Sequence, residues 1–407
     1  MSKPTERYIS LIERRIKTIR KDLPSLIELG ERMAENLIAG GNIFAPPVIE
    51  YWSDEYDLRA GNFMGLESRN YVSNSEKDVA FFPVLGYRER NVSENKTLNT
   101  LIKSKANLFV LGRKEDTQSL NSSGRFAGFT GGCDPNEGLY ETETLCPFAP
   151  TLQFEQIVRG WVTTGEMICA CIRQGKMPTI WLSVWLEGGW VRNNHFIKQD
   201  NLHGPWLPPM FHDNWYTPPL PAGYAGGEFL DAIEKSIKTI KNQADIFGRI
   251  GQWLAEAKNK GHRAGAAICG HCYPRILELS EEFNYPLEIW PPFNADLNRA
   301  APVEELGKGD VAIYMGYGRV DTDAVWKILD RGVRLIHTSP YGRLTNLQNH
   351  ENMLWFDLPW RPGDAIVDIP GYSARILPMS SSVQTAAYFA ILSEMAECLG
   401  VRQRNSA

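Results

Sequence analysis

Four consecutive residues carry the densest chemistry in this chain: Cys269-Gly270-His271-Cys272. They follow a strand-like run at 264–268 and precede a helix-like run at 273–283. Glycine lets the backbone turn tightly there. A helix N-terminus offers free N–H groups and a partial positive charge to an anion. It would also lower a thiol's pKa, and His271 would titrate near neutral pH. Such a loop can bind an anion, move a proton, run thiol chemistry or hold zinc. It can also be purely structural, with buried thiols and a capping His.

Two further loops have the composition of ligand sites. In the stretch from Gly309 through Asp310-Val311 to Gly318-Arg319, glycines at a strand end let backbone N–H groups approach a ligand. Arg319 there suits bidentate contact with a phosphate or carboxylate. The plain alternative is a strand-to-helix turn with a solvated arginine. At Pro378-Met379-Ser380-Ser381-Ser382, three serines open a helix. They would cap it, and their hydroxyls also suit phosphate oxygens.

The elements that must position these loops come twice. Ile16-Lys17-Thr18-Ile19, then Gly30, Ala34 and Glu35, returns with the same spacing as Ile237-Lys238-Thr239-Ile240, then Gly251, Ala255 and Glu256. Asp78-Val79-Ala80 returns as Asp310-Val311-Ala312, and Glu166-Met167 as Glu394-Met395. Three matches in one order imply a duplicated domain. The expected division is 1–182, a Trp/Pro-rich connection at 183–227, and 228–407. That connection holds Trp185, Trp190, Trp206, Trp215 and the pair Pro218-Pro219. It is unlike a flexible Gly/Ser linker and reads as a strap across both halves, or a lid.

Within the first half, the spacing predicts a helix pair over 8–39 and strands at 42–45, 79–85 and 107–111. A helix is expected at 95–103 and a long one at 152–173, with 114–150 irregular. In the second half it predicts one helix over 228–259 and strands at 264–268, 287–290, 311–315 and 334–338. A helix at 322–330, a last strand near 374–377 and a final helix at 381–399 complete it. Strands alternating with helices imply a parallel sheet covered on both faces. Ligands of such sheets bind past the carboxyl ends of the strands.

At 407 residues, two domains are the natural size. The net charge of -5 gives no attraction to nucleic acid or an anionic membrane. No apolar run is long enough to span a bilayer. The N-terminal residues lack the apolar core of a signal peptide. With seven cysteines, an odd number, the expectation is reduced thiols in the cytoplasm. No cofactor or metal ion is required by any motif.

Together the loops resemble the sugar isomerase (SIS) family of phosphosugar-binding domains, in its branch with a Gly-x-Gly-His-Ser loop. The most specific segment is Pro362-Gly363-Asp364-Ala365-Ile366-Val367-Asp368-Ile369-Pro370-Gly371, followed by Pro378 and the serines. Gly309-Asp310-Val311 through Gly318-Arg319 is similar to that branch's Gly-Asp-Val strand and Ser-Gly-Arg loop, and Gly270-His271 to its Gly-His pair. In the first half, Asp54-Glu55-Tyr56-Asp57-Leu58-Arg59-Ala60-Gly61 resembles its acidic helix. Ala45-Pro46-Pro47-Val48 stands in place of a Gly-His loop, while the second half keeps only Glu278 of the acidic pattern. Met315, Gly316 and Tyr317 replace hydroxyls usual in the phosphate loop, and Cys272 replaces serine.

The resemblance implies two tandem SIS-like three-layer α/β domains that bind a sugar phosphate, with aldose–ketose isomerisation as the reaction. One site would form across the halves, with His271 and Glu55 catalytic. Gly270, Cys272, Gly318, Arg319, Ser380, Ser381, Ser382, Asp54 and Arg59 would bind substrate. A sugar-phosphate sensor without turnover is the competing class, and a thiol or zinc site at Cys269 to Cys272 the third. Cys-Gly-His-Cys also occurs in protein disulfide isomerases, although Ala267-Ile268 stand where a tryptophan is expected. Pairing into a larger homo-oligomer is left open.

Overall fold

The computed structural model describes residues 3–48, 50–68, 75–83, 96–112, 126–130, 138–141, 147–197, 210–268, 287–290, 303–316, 322–340, 347 and 350–401. Cys269, Gly270, His271 and Cys272, Glu278, and Gly318 with Arg319 lie outside them, as does the helix expected at 273–283.

The chain begins with α1 (Pro4–Ile38), whose apolar positions Ile9, Ile12, Ile16, Ile19, Leu26, Leu29, Met33 and Leu37 are all buried. The expected helix pair is one continuous helix that carries Pro24 inside it. The corresponding segment of the second half shows the reverse. It is split into α6 (Tyr224–Lys241) and α7 (Ala244–Asn259). The break releases Gln243 to pair with the backbone of Asp357, accepting its N–H at 2.8 Å and donating to its carbonyl at 2.8 Å.

Two five-stranded parallel sheets follow the same order. The first contains β1 (Ile43–Phe44), β2 (Leu66–Glu67), β3 (Val79–Pro83), β4 (Asn107–Leu111) and β5 (Phe126–Thr130), arranged β2-β1-β3-β4-β5. The second contains β8 (Ala264–Ile268), β9 (Glu288–Trp290), β10 (Val311–Met315), β11 (Arg334–Thr338) and β12 (Met353–Trp355), arranged β9-β8-β10-β11-β12. Strands β3, β8 and β10 are buried along their whole length, as expected of a sheet covered on both faces.

Each half ends in an antiparallel hairpin that leads into a central helix. Hairpin β6 (Gly138–Glu141) and β7 (Pro147–Pro150) precedes α4 (Leu152–Arg173). Hairpin β13 (Ala365–Val367) and β14 (Ile376–Pro378) precedes α9 (Ser380–Cys398). The last expected strand thus pairs in a hairpin and not in the parallel sheet, and the region expected to be irregular holds β5, β6 and β7. Both hairpins contain a non-glycine residue in the left-handed region, Ala149 at φ 52° and Leu377 at φ 64°. Helices α4 and α9 are buried on every side for most of their length. One continuous core joins them to α1, α6, α7 and both sheets. Smaller helices are α2 (Glu50–Tyr56), α3 (Lys96–Lys103), α5 (Gly189–Ile197) and α8 (Thr322–Asp330).

The repeated residues occupy matched positions in space. Asp78 accepts the backbone N–H of Asn42 at 2.9 Å just before β1, and Asp310 that of Arg263 at 2.9 Å just before β8. Glu166 of α4 accepts the N–H of Gly226 at 2.8 Å at the start of α6. Glu394 of α9 accepts the N–H of Thr5 at 2.8 Å at the start of α1. Each carboxylate caps a helix of the other half, where the first N–H groups lack helical partners.

Gly30 faces the backbone of α4, and Gly251 that of α9. A Cβ on Gly30 would lie 2.8 Å from Met167 N; one on Gly251 would lie 2.5 Å from Glu394 Cβ and 2.9 Å from Met395 N. Alanine at either position should therefore destabilise the fold by about 1–3 kcal/mol, the usual cost of overpacking. A Cβ on Gly227 of α6 would meet nothing within 4 Å. There alanine should stabilise by about 0.5–1 kcal/mol through helix propensity. Urea midpoints of the three variants check the opposite signs.

Candidate active site

The described part of the expected site is a buried polar cluster where α2 of the first half meets the start of α9 in the second. Aromatic packing sets α2. Trp52 and Tyr56 lie with ring centroids 4.7 Å apart, Tyr56 lies 4.5 Å from Trp161 of α4, and Trp52 lies 5.2 Å from Phe81 of β3. Trp52 Nε1 donates to the carbonyl of Phe81 at 2.8 Å. These contacts fix the helix face that carries Glu55.

Past the helix, Leu58 takes a left-handed φ of 50° and turns the chain so that Arg59 points at α9. Gly61, at φ 81°, then docks on the β13–β14 hairpin, where Leu377 N donates to its carbonyl at 3.1 Å. A Cβ there would come within 2.6 Å of Ala365 Cβ. The Arg-Ala-Gly spacing is therefore a docking element: the arginine reaches the helix while the glycine admits the hairpin.

From the second half, Asp364 enters at a left-handed φ of 67°. One carboxylate oxygen accepts the N–H groups of Met379 at 3.2 Å and Ser380 at 2.8 Å, capping α9 from outside the helix. The other accepts the Ser380 hydroxyl at 2.9 Å and lies 2.9 Å from Arg59 Nη2. That same nitrogen donates to Ser380 Oγ at 2.8 Å and Ser381 Oγ at 2.6 Å. Ser381 donates in turn to Glu55, 2.7 Å from Oε2 and 2.9 Å from Oε1, and Trp161 Nε1 donates to Oε1 at 2.7 Å.

Glu55 is 0% exposed, Arg59 2%, Asp364 3% and Ser381 1%. Burial pushes the Glu55 carboxyl above the ordinary carboxylate range, outweighing Arg59, Ser381 and Trp161, while Asp364 adds to the rise. Two carboxylates face one guanidinium, so the cluster's own charge opposes a phosphate. A proton acceptor, or a scaffold, suits the geometry better. Ser380 and Ser381 give their hydroxyls to protein carboxylates. The Ser382 hydroxyl is buried and has no partner among the described residues. Asp54 is half-buried on α2.

Of the expected site residues, Glu55, Arg59, Ser380 and Ser381 are brought together by these bonds. The residues not anticipated are Asp364 and Trp161. Asp364 stood in the Gly-Asp-Ala segment, and a Gly-Asp pair before a strand is the signal that marks a turn able to send a carboxylate elsewhere. Trp161 had no sequence signal beyond its place on α4.

The described part of the connection is ordered across both halves. Arg192 of α5 donates to Tyr372 Oη at 2.7 Å, and His212 Nε2 lies 2.8 Å from the same oxygen. Cys169 and Cys171 are buried in α4, and burial pushes both thiols up to about 12. Among the described residues there is no group of three or more His, Cys, Asp or Glu placed to hold a metal ion. None of their helices is long and apolar enough to cross a membrane.

No family model matches the sequence, and no curated protein matches it in sequence. Solved structures do match the fold. The C-terminal domain of glucosamine-fructose-6-phosphate aminotransferase from Francisella tularensis superposes with a TM-score of 0.51 at 10% identity, over 96% of this chain and 98% of that one. A candidate phosphosugar isomerase from Silicibacter pomeroyi gives 0.50 at 10% identity, over 98% and 99%. Identity this low establishes the fold alone, a three-layer α/β architecture with parallel sheets.

Two outcomes follow from the cluster. Arg59→Met leaves Asp364 buried without its cation and should cost about 3–5 kcal/mol in the urea unfolding free energy. The raised Glu55 pKa means that the folded state holds this proton more tightly than the unfolded chain. Its contribution to stability is full below the unfolded pKa, about 4.3, and is lost as pH rises through the higher folded value. Glu55→Gln should flatten that decline in a plot of urea midpoint against pH.

Proposed function

We propose that the protein binds a phosphorylated sugar and interconverts its aldose and ketose forms at a single site formed by both halves. The observation that carries this reading is the contact of Glu55 with Ser381. The acidic helix of the first half meets the serine-led helix of the second, which is the pairing a shared site requires. The fold adds support, since a solved structure of the same architecture is described as a candidate phosphosugar isomerase. The matched roles of Asp78 and Asp310, and of Glu166 and Glu394, favour an origin by duplication, with units at 1–182 and 228–407 joined by 183–227. In that origin one copy keeps the Gly-His loop and the other the acidic helix.

Isomerisation moves a proton between two adjacent carbons through an enediol and needs help in ring opening. Glu55 suits the first task, since burial raises its carboxyl pKa and such a carboxyl holds a transferred proton more readily than an exposed one does. His271 is proposed for the second. The anion would be held at the loops after β8 and β10 by the backbone of Gly270, Cys272 and Gly318 and by the Arg319 guanidinium. Ser380 and Ser381 would hold Arg59 and Glu55 in place, leaving the Ser382 hydroxyl for the ligand, with Asp54 at the rim.

A second reading has its own observation. Glu55 is fully buried with both oxygens engaged, which suits a protein that binds a sugar phosphate and responds without turnover. The experiment that separates them is a thermal-shift screen with glucose 6-phosphate, fructose 6-phosphate and the free sugars, followed by an isomerase assay on the hexose phosphate that shifts. Bound ligand raises the melting temperature by mass action. An isomerase should lose turnover in Glu55→Gln while the fold and the ligand shift remain, and Arg319→Ala should lose the shift itself. Full turnover in Glu55→Gln removes Glu55 from catalysis. A shift with no turnover in the wild type leaves the sensor.

A further inference from the structure

We infer that His337 is a ligand contact at the carboxyl edge of the second sheet, recognising a hydroxyl of the bound sugar and not its phosphate; this rests on the sugar-phosphate reading above. His337 is the penultimate residue of β11. In register it pairs with Tyr314 of β10 on one side and Trp355, the last residue of β12, on the other. The three rings form one stack across three strands. His337 lies 5.0 Å from Tyr314 with 23° between planes, and 4.7 Å from Trp355 with 24°. The row sits at the strand ends, where parallel α/β sheets receive ligands. Gly316 follows directly, and a methyl at that position would collide with the Tyr314 ring.

The stack covers both faces of the imidazole, so only its edge can make hydrogen bonds. His337 is 0% exposed, and neither ring nitrogen has a hydrogen-bond partner among the described residues. That is a poor arrangement for a structural residue. A buried donor or acceptor left unmade is costly, and a phenylalanine would fill the same stack without the cost. Burial alone pushes this imidazole down to about 3, so it is neutral at physiological pH. A neutral imidazole has one N–H and one bare nitrogen. A phosphate only accepts and favours a cation, so it matches neither need well. A hydroxyl both donates and accepts, and a sugar presents several. The aromatic neighbours fit the same ligand, since they hold the imidazole plane fixed while offering no charge.

The test uses His337→Phe, which keeps a ring between Tyr314 and Trp355 and removes both nitrogens. Dissociation constants are measured by calorimetry on the full chain with glucose 6-phosphate, fructose 6-phosphate and inorganic phosphate. The imidazole nitrogens of wild-type His337 are followed by NMR with and without the hexose phosphates. The expected result is affinity for the bound hexose phosphate weakened about tenfold or more, as for one lost hydrogen bond that leaves its partner unpaired. Affinity for inorganic phosphate should stay the same, melting temperature should be equal or higher, and the His337 nitrogen signals should move when the hexose phosphate is added. If wild-type protein binds a hexose phosphate but the variant binds it equally and the nitrogen signals stay still, His337 is a buried spacer and the inference fails alone. If the variant does not fold, the nitrogen signals decide by themselves. If the wild type binds neither hexose phosphate, the sugar-phosphate reading fails and this inference with it.

Discussion

The Arg59–Asp364 ion pair is the interaction on which the joint between the halves depends. Its members come from different halves, and both are almost wholly buried. Buried charges are expensive to desolvate, and a buried pair often stabilises no more than apolar residues of the same volume would. What it enforces is registry. A guanidinium displaced by an ångström or two leaves a buried carboxylate without its cation, and that carboxylate is the one that holds the N–H groups of Met379 and Ser380. The same nitrogen that meets Asp364 orders Ser380 and Ser381, and Ser381 fixes the Glu55 carboxylate. Thus the hairpin, the final helix and the acidic helix have one mutually satisfied arrangement. The left-handed backbone at Leu58 and Asp364 is the strain that this arrangement sustains.

Much of this was legible in the residues. The bounds of α4, β8, β10, β11 and α8 follow from apolar periodicity and turn residues, because α4 and the three strands are buried and α8 carries an apolar stripe at Val325, Ile328 and Leu329. Several residues that recur between the halves do jobs that tolerate few substitutes. Gly30 and Gly251 admit a neighbouring helix backbone, and Asp78 and Asp310 hold the chain before the first strand of each sheet. Gly61 likewise marks a close approach. Less legible was whatever depends on distant partners. The split between α6 and α7 is fixed by Gln243 reaching Asp357, and hydrophobic periodicity crosses that break unchanged. Hairpin β6–β7 is short and stands among glycines and prolines that give no period. Asp364 caps a helix that begins 16 positions later, a relation that the usual four-residue capping pattern does not contain. His337 read as one more strand residue, because a period of two assigns a face and says nothing of ring nitrogens.

The two halves use the start of their central helices differently. At the start of α9 the buried charges come from both halves. At the start of α4 the buried charges are local. Arg159 donates to Glu155 on its own helix at 2.7 Å and to Asp22 of α1 at 2.7 Å. That network closes within the first half. It holds α1 against α4. A helix start committed to its own half cannot also draw a carboxylate and a guanidinium from the other half, as α9 does. The matched backbones thus carry unmatched charges at their helix starts: the start of α4 meets buried ions of its own half, and the start of α9 meets Glu55 and Arg59, which the first half delivers. Among the described residues the cluster drawn from both halves thus forms at the start of α9 and not at that of α4, and the sequence difference follows from it. The Glu55–Arg59–Gly61 spacing is needed in the first half alone, because that half supplies the group which crosses.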